Sequence, residues 1–164
     1  YHMTKSMDPS RLVVDNEGWE HTETTDLFAV HDYTAQYAQL KARWGKVEVK
    51  PGATLPPHGR GYLVPGAAYN GSPLYLSEFG GIAFILPGSS VPAEAWGYSG
   101  VEKTAEAALH RLRGQYEAIA ESPIIGICYT QITDVEQEIN GLLTYDRKPK
   151  FDLKQIKAIN DLLQ

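Results

Sequence analysis

The chain of 164 residues is long enough for one domain with a sizeable core, and 43% of its residues are hydrophobic. Its net charge of -5, without a Lys/Arg cluster, argues against nucleic acid as a partner. No apolar run reaches the roughly 18 residues that a membrane helix needs, so we expect no membrane partner.

The first residues, YHMTKSM, predict the last turns of a helix from a longer protein, because Tyr1, Thr4 and Met7 repeat near helical spacing. A cloning scar at His2 and Met3 is the alternative. The opening residues contain no signal-peptide core, which says little about location, although a cytoplasmic protein is favoured over a secreted one.

Four apolar runs predict strands, because each is rich in strand-forming residues and ends in polar ones. The runs span residues 11–15, 26–33, 73–81 and 123–131. Apolar residues at helical spacing predict helices over residues 34–44, 100–122 and 151–163. Prolines and glycines crowd residues 51–73, which predicts a long irregular excursion.

This alternation of strands and helices predicts an α/β fold with a parallel sheet. Polar and aromatic residues collect at the carboxyl ends of the predicted strands, where parallel α/β proteins carry their sites. In strand order these residues are Asn16 and Trp19, then His31, Asp32 and Tyr33, then Glu78, and finally Tyr129 and Gln131. We therefore expect a functional site at this edge of the sheet.

A carboxylate among aromatic, amide and imidazole side chains is typical of a sugar site. Retaining glycosidases use one carboxylate as nucleophile and a second as acid/base, roughly 5–5.5 Å apart. Glu78 ends a strand, which makes it rigid enough to be a nucleophile, and Gly80 and Gly81 allow a sharp turn beside it. Read from this stretch alone, a nucleophile and an ion-paired structural carboxylate are equally supported.

Metal and cofactor chemistry have little support in the sequence. Cys128 is the only cysteine, which excludes an internal disulfide, and its apolar surroundings favour a buried, inert thiol. His21, His31 and Asp32 come nearest to a ligand set, but a sugar-contacting His31 is the more economical interpretation. We expect no metal and no cofactor.

Several segments resemble the C-terminal half of the catalytic barrel of family 2 glycoside hydrolases, which include β-galactosidases, β-glucuronidases and β-mannosidases. These segments are DPSRLVVDNEGWEH, DLFAVHDY, PLYLSEFGG and GICYTQITDVEQEINGLLTYDRKPK. The resemblance runs from about Lys5 to Asn160 in the family's order. It implies half of a (β/α)8 TIM barrel, with strands five to eight and their helices. Residues 1–164 would then be a single C-terminal (β/α)4 fragment, without the upstream half barrel and β-sandwich domains.

The resemblance also implies roles for individual residues. Glu78 takes the place of the nucleophile, and Tyr33 takes the place of the tyrosine beside it. The side chains expected at the sugar are Asn16, Trp19, His31, Asp32, Tyr129 and Gln131. Trp96 is expected to be a lid or subsite aromatic, with a packing role equally supported.

The function implied is that of a retaining β-glycosidase acting on terminal β-linked sugars, with a β-galactoside as the default substrate. The family's acid/base is a Glu after Asn at the end of strand four, upstream of this chain. Glu17 follows Asn16 but falls in the strand-five segment, so it is not assigned that role. We therefore expect the chain alone to be inactive.

Two further expectations follow from an open half barrel. The edges at residues 11–15 and 124–129 would lack partners, which predicts self-association. A non-catalytic carbohydrate-binding half-barrel module is the alternative function. A nucleotide-binding sheet is a third reading, disfavoured because no Gly-rich phosphate loop is present.

Overall fold

Parallel strands form the central sheet of the computed structural model, which describes residues 1–163. In chain order the strands are β1 (Phe28–Asp32), β2 (Leu74–Gly80), β3 (Ala83–Phe84), β4 (Val101–Glu102) and β5 (Ile124–Thr130). The sheet has the order β1–β2–β5, and β3 pairs with β4 in a separate two-stranded sheet. Every pairing is parallel, which confirms the predicted α/β class.

Helices cover the sheet at the places that the apolar spacing predicts. They are α1 (His2–Met7), α2 (Tyr37–Trp44), α3 (Ala105–Ala120) and α4 (Leu153–Asn160), followed by a 3-10 turn at Asp161–Leu163. Helix α3 begins later than predicted because the Thr104 side chain accepts the Ala107 amide and caps it. Within residues 1–163, no helix is long and apolar enough to cross a membrane.

The N-terminal helix is fastened by one carboxylate. The Tyr1 hydroxyl donates to Asp26 at 2.7 Å, and Lys5 forms an ion pair with Asp26 at 2.5 Å. The bonds from Lys5 and Tyr1, together with one from the Val13 amide, lower the pKa of Asp26 to about 2. The predicted helix over the first residues is therefore present as α1.

A β-bulge decides which face of the sheet Glu78 occupies. Val30 pairs with Leu76 and His31 pairs with Glu78, so Ser77 is an extra residue in β2. Side chains alternate along a strand, and without this extra residue Glu78 would share the buried face of Leu76. The bulge instead turns Glu78 to the face that His31 occupies.

The hydrophobic core lies on the opposite face, between the sheet and the helices. Leu74, Leu76 and Phe79 of β2 are fully buried there, and the Phe79 ring lies 5.5 Å from that of Tyr116 in α3. Burial of side chains of this size stabilises the fold by about 1.5–3 kcal/mol each. The core therefore holds β2 rigidly and fixes the position from which Glu78 projects.

The strand predicted at residues 11–15 does not form, and the expectation of four strands in one sheet is wrong. Asp26 Oδ2 accepts the Val13 amide at 2.8 Å, and Thr25 Oγ1 lies 3.3 Å from the Asp15 amide. Side-chain oxygens thus take amide groups that a β-ladder would pair with carbonyls. The segment runs beside residues 25–26 as extended backbone without ladder pairing.

The expectation of a buried Cys128 is also wrong. The thiol is exposed because Ile127 pairs with Leu76 of the core face, and strand alternation turns the next residue, Cys128, to the opposite face. Among the described residues, β5 pairs only with β2, so its other edge lacks a partner. Ile125 on the same strand is 66% exposed. An uncharged strand edge with exposed apolar side chains is a template for pairing with another chain.

We therefore expect the purified chain to self-associate through the β5 edge. Ile125→Lys should shift the chain towards monomer, because a charge on an edge strand opposes edge-to-edge pairing. Size-exclusion chromatography with light scattering, over a range of concentrations, measures the oligomeric state. Met7→Lys is the matched control, since Met7 is an exposed apolar side chain on α1. A wild-type chain that stays monomeric at every concentration would contradict this expectation.

Candidate active site

The carboxyl ends of the three central strands bring Tyr33, Glu78 and Thr130 together. The Tyr33 hydroxyl donates to Glu78 Oε2 at 2.6 Å, and Thr130 Oγ1 lies 3.2 Å from the same hydroxyl. The Glu78 side chain is 39% exposed, so it is accessible to solvent at the carboxyl end of the sheet. Within residues 1–163, both polar contacts of this carboxylate fall on Oε2, and Oε1 accepts no hydrogen bond.

Tyr33 is a permanent hydrogen-bond donor. Burial and its bond to Glu78 raise the pKa of the phenol well above its ordinary value. The phenol therefore remains protonated throughout the range in which proteins are folded. Its bond to Oε2 fixes the rotation of the Glu78 carboxylate and leaves Oε1 open to solvent at the carboxyl end of the sheet.

His31 lies between two carboxylates. Its Nδ1 is 3.3 Å from Glu78 Oε2, and its Nε2 is 3.0 Å from Glu17 Oε1. Gly18 has a φ of +79° and packs so closely that a Cβ there would meet the imidazole at 2.8 Å. The Trp19 ring stands edge-on to His31 at 4.9 Å. The loop thus holds the imidazole in place, with Glu17 on one side of the ring and Glu78 on the other. The sequence analysis did not predict that Glu17 would lie at the site.

The irregular excursion at residues 51–73 contributes to the same wall of the site. It places His58 over Trp19, with the ring centres 4.5 Å apart. Partial burial lowers the pKa of His58, with the nearby Arg43 charge acting in the same direction. Trp19, His31 and His58 therefore form a continuous aromatic wall, which we call the first wall.

Tyr98 and Trp96 form a second wall, which lies against Tyr33. The Tyr98 ring stacks on the Tyr33 ring with centres 3.6 Å apart and planes 2° apart. Trp96 meets Tyr98 edge-on at 5.2 Å. The sequence analysis selected Trp96 but not Tyr98. Tyr98 could have been selected too, because it follows Trp96 by two positions in the stretch WGYSG.

The two glycines after Glu78 are required by these aromatic rings. A Cβ at Gly81 would lie 2.6 Å from Tyr98 and 2.8 Å from Tyr33, and a Cβ at Gly80 would overlap the Tyr129 ring. Both glycines also have positive φ, at +93° for Gly80 and +59° for Gly81. They let the chain turn without displacing the rings around Glu78.

The structure corrects the expectation that Asp32 contacts sugar. Asp32 is buried, and its Oδ2 accepts from the Trp44 indole at 2.7 Å and pairs with Arg43 at 2.9 Å. Its Oδ1 accepts the Thr34 amide at 2.8 Å. Strand alternation explains this, because a residue next to His31 faces the opposite side of the sheet. Asp32 anchors helix α2 instead.

The structure also corrects the expectation that Tyr129 contacts sugar. Its ring packs at 5.7 Å from Phe79 on the core face, and its hydroxyl donates to the Asn140 carbonyl at 3.1 Å. Burial raises the pKa of this phenol, which stays protonated. The β5 residue that faces the site is the next one, Thr130, which contacts Tyr33.

Asn16 and Gln131 support loops at the rim. The Asn16 amide donates to the Glu20 carbonyl at 3.1 Å, and the Gln131 amide donates to the Glu138 carbonyl at 3.3 Å. The Asn16 bond shapes the loop that carries Glu17, and the Gln131 bond shapes the turn after β5, whose Gln137 carbonyl accepts the Trp96 amide. The structure brings neither amide into hydrogen-bond contact with Glu78, in the part of the chain that it describes.

His21 is a buried histidine whose two ring nitrogens both have partners within the fold. It is fully buried, with Nδ1 2.6 Å from Asp15 and Nε2 2.6 Å from the Ala29 carbonyl. Burial opposes ionisation of Asp15, but the bonds from His21 and Thr22 outweigh it and hold the pKa of Asp15 below its usual value. Across residues 1–163, no group of three or more His, Cys, Asp or Glu side chains is arranged to hold a metal ion.

Comparisons with known proteins bear on the fold. No family model matches the sequence, and no curated protein matches it. Solved structures do match, among them a β-D-glucuronidase from Dictyoglomus thermophilum (14% identity, TM-score 0.60). Others are a β-glucuronidase from an uncultured Clostridium species (12%, 0.59) and a GH2 β-galacturonidase from Eisenbergiella tayi bound to glycerol (17%, 0.60).

These alignments cover nearly all of this chain and less than a third of each neighbour. The covered shares of this chain are 98%, 98% and 100%, against 27%, 28% and 29% of the three neighbours in the same order. At such low identity the likeness shows the fold and nothing finer. The chain therefore has the fold of a segment of GH2 glycoside hydrolases.

The close packing around Gly81 predicts a measurable stability difference. Gly81→Ala should lower the free energy of unfolding by about 2–4 kcal/mol, from left-handed backbone strain plus overpacking against Tyr33 and Tyr98. Gly52→Ala is the matched control, because Gly52 has a φ of +75° but nothing within 4 Å of its Cβ position. It should cost about 1–2 kcal/mol, from backbone strain alone. Urea unfolding measures both, and equal losses would contradict the packing described for Gly81.

Proposed function

We propose that the chain is the nucleophile-bearing part of a retaining β-glycosidase, with Glu78 as the nucleophile. The observation that carries this proposal is the 2.6 Å bond from Tyr33 to Glu78 Oε2. It holds a part-exposed carboxylate rigidly at the carboxyl ends of a parallel sheet, between two aromatic walls. An ion-paired structural carboxylate would be expected to have a Lys or Arg beside it, and within residues 1–163 the groups that contact Glu78 are a phenol and an imidazole.

The chemistry follows from this geometry. Glu78 Oε1 attacks the anomeric carbon, the glycosidic C–O bond breaks, and its electron pair leaves with the glycosidic oxygen. The product is a glycosyl ester on Glu78, which a water molecule then hydrolyses. Tyr33 keeps Oε2 hydrogen-bonded throughout, so the carboxylate does not rotate away from the anomeric carbon.

The second carboxylate of the mechanism is not assigned within this chain. Glu17 is bonded to His31 Nε2 and separated from Glu78 by the imidazole ring. A general acid contributes about 10²–10⁴ in rate, so we expect little or no turnover of ordinary glycosides by this chain alone. We propose that this segment is the C-terminal part of a (β/α)8 barrel, with β1, β2 and β5 as three of its strands; the fold that it shares with less than a third of each neighbour supports this.

We propose a neutral sugar as the substrate, with a β-galactoside as the first to test. The neighbours are described as acting on glucuronides or a galacturonide, and a uronate needs a cation at its carboxylate. Glu17 lies on the other side of His31 from the proposed nucleophile, and its charge disfavours a negative charge on the substrate. Lys148, a basic side chain of the kind that could bind a uronate carboxylate, pairs instead with Asp146 at 2.7 Å.

Covalent labelling tests Glu78 in the chain as it stands. A dinitrophenyl 2-deoxy-2-fluoro-β-galactoside has a leaving group that needs no protonation, so the missing acid does not prevent the first step. We expect a single glycosyl adduct, which peptide mass spectrometry should locate on Glu78. Glu78→Gln should remove the adduct, and Tyr33→Phe should slow its formation by about tenfold or more, because the carboxylate loses its orienting bond.

The control for this labelling is Glu94→Gln, a change in an exposed carboxylate on the loop before Trp96. It should leave the labelling rate unchanged. Reversible sugar binding without any adduct would favour the non-catalytic carbohydrate-binding module. An adduct on another residue would refute Glu78 as the nucleophile.

The charge at the site predicts sugar selectivity. The galactoside reagent should label Glu78 faster than the matching glucuronide reagent. Glu17→Gln should narrow the difference between the two labelling rates, because it removes a negative charge that repels the glucuronide. Measuring both rates at low and high ionic strength checks the electrostatic origin, because salt screens exposed charges. Faster labelling by the glucuronide would contradict the choice of a neutral sugar.

A further inference from the structure

Tyr33 contacts two oxygens with a hydroxyl that has a single proton. The phenol oxygen lies 2.6 Å from Glu78 Oε2 and 3.2 Å from Thr130 Oγ1. A nucleophilic carboxylate is ionised and can only accept, so the phenol proton lies in the shorter contact, between Tyr33 and Glu78. The longer contact is then a hydrogen bond in which the Thr130 hydroxyl donates to the phenol oxygen. The three residues therefore form a directed chain, from Thr130 through Tyr33 to Glu78.

The pKa of Tyr33 agrees with this direction. Burial and the bond to Glu78 raise the pKa of the phenol, whereas the contact with Thr130 acts to lower it. A donor to the phenol oxygen favours the phenolate, and an acceptor of the phenol proton disfavours it. Thr130 thus acts on Tyr33 as a donor, in the opposite sense to Glu78.

The backbone places the Thr130 hydroxyl beside Tyr33. Thr130 pairs with Gly80 in the parallel register of β2 and β5, and its carbonyl accepts the Gly81 amide at 3.0 Å. Its branched Cβ restricts the rotation of the side chain. Within residues 1–163 the Thr130 hydroxyl has no other hydrogen-bond partner, so its proton is available to the phenol. One residue therefore bonds to the turn after Glu78 through its carbonyl and to the phenol through its hydroxyl.

Ring stacking alone does not decide where the Tyr33 proton points. Tyr98 fixes the plane of the Tyr33 ring, but the O–H bond can still rotate about the C–O bond. A donor on one side of the phenol oxygen occupies a lone pair there and favours a proton on the other side, towards Glu78. It also polarises the phenol, and such cooperative strengthening is about 10–30% for each bond. Thr130 therefore directs and strengthens the bond from Tyr33 to Glu78.

We infer that Thr130 is a positioning residue, which acts through Tyr33 to hold the Glu78 carboxylate in the orientation that its attack needs. The inference rests on the proposed function, because it needs Glu78 as the nucleophile. The sequence analysis selected the neighbours of Thr130, which are Tyr129 and Gln131, and passed over Thr130 itself. In the described residues the Thr130 hydroxyl bonds to the phenol and not to the carboxylate, so its effect passes through Tyr33.

The rate of Glu78 labelling by the dinitrophenyl 2-deoxy-2-fluoro-β-galactoside tests this role. Thr130→Val keeps the branched side chain and the backbone carbonyl but removes the hydroxyl, so it should slow labelling by about threefold. Thr130→Ser keeps the hydroxyl and should label at nearly the wild-type rate. Combining Thr130→Val with Tyr33→Phe should cause no loss beyond that of Tyr33→Phe, because the phenol oxygen on which Thr130 acts is then absent. If Thr130→Val does not fold, Thr130→Ala compared with Thr130→Ser isolates the same hydroxyl.

Thr133→Val is the matched control, because it makes the same change on the loop after β5. Within residues 1–163, Thr133 forms no hydrogen bond with Tyr33 or Glu78, so this variant should leave the labelling rate unchanged. Urea unfolding checks that every variant is folded.

Three results would each overturn the role of Thr130. They are an unchanged rate in Thr130→Val, equal losses in Thr130→Val and Thr130→Ser, and a further loss in the double variant. In each case, labelling of Glu78 in the wild type leaves the proposed function standing. If the wild type forms no adduct on Glu78, both proposals fail.

Discussion

The bulge at Ser77 is the constraint on which the candidate site depends. Strands β1 and β2 pair on both sides of it, so the extra residue shifts the alternation of β2 by one position. Leu74, Leu76 and Phe79 can then all face the helices while Glu78 faces the mouth. A buried strand thereby delivers a carboxylate to solvent without losing any core contact.

The rings around Glu78 are positioned by glycines and by backbone bonds from loops, more than by the strands. Gly18 admits the imidazole of His31, and Gly81 admits the rings of Tyr33 and Tyr98. Backbone bonds hold the 96–98 segment to the turns around it. Small residues and fixed loops together produce a rigid aromatic site on a sheet of only three strands.

The exposed edge of β5 and the segment at residues 11–15 share one physical cause. A strand is stable in a parallel sheet when neighbours satisfy its amides and carbonyls. Residues 11–15 lie on the β1 side of the sheet, and their amides donate to the side chains of Asp26 and Thr25. Within residues 1–163, strand β5 pairs with β2 alone, which leaves the amides and carbonyls of its other edge without a strand partner.

The sequence by itself determined the α/β class, three of the strands, the helices and the position of Glu78 at a strand end. Those features follow from local periodicity, which is written in neighbouring residues. Tertiary structure decided the rest. Whether Asp32 or His31 faces the site, and whether Tyr129 or Thr130 does, depends on strand alternation and on pairing registers set by distant segments. Glu17 and Tyr98 join the site through contacts with residues 14 and 65 positions away along the chain, respectively. Such contacts leave no periodic signal, because they form only when separate strands and loops pack together.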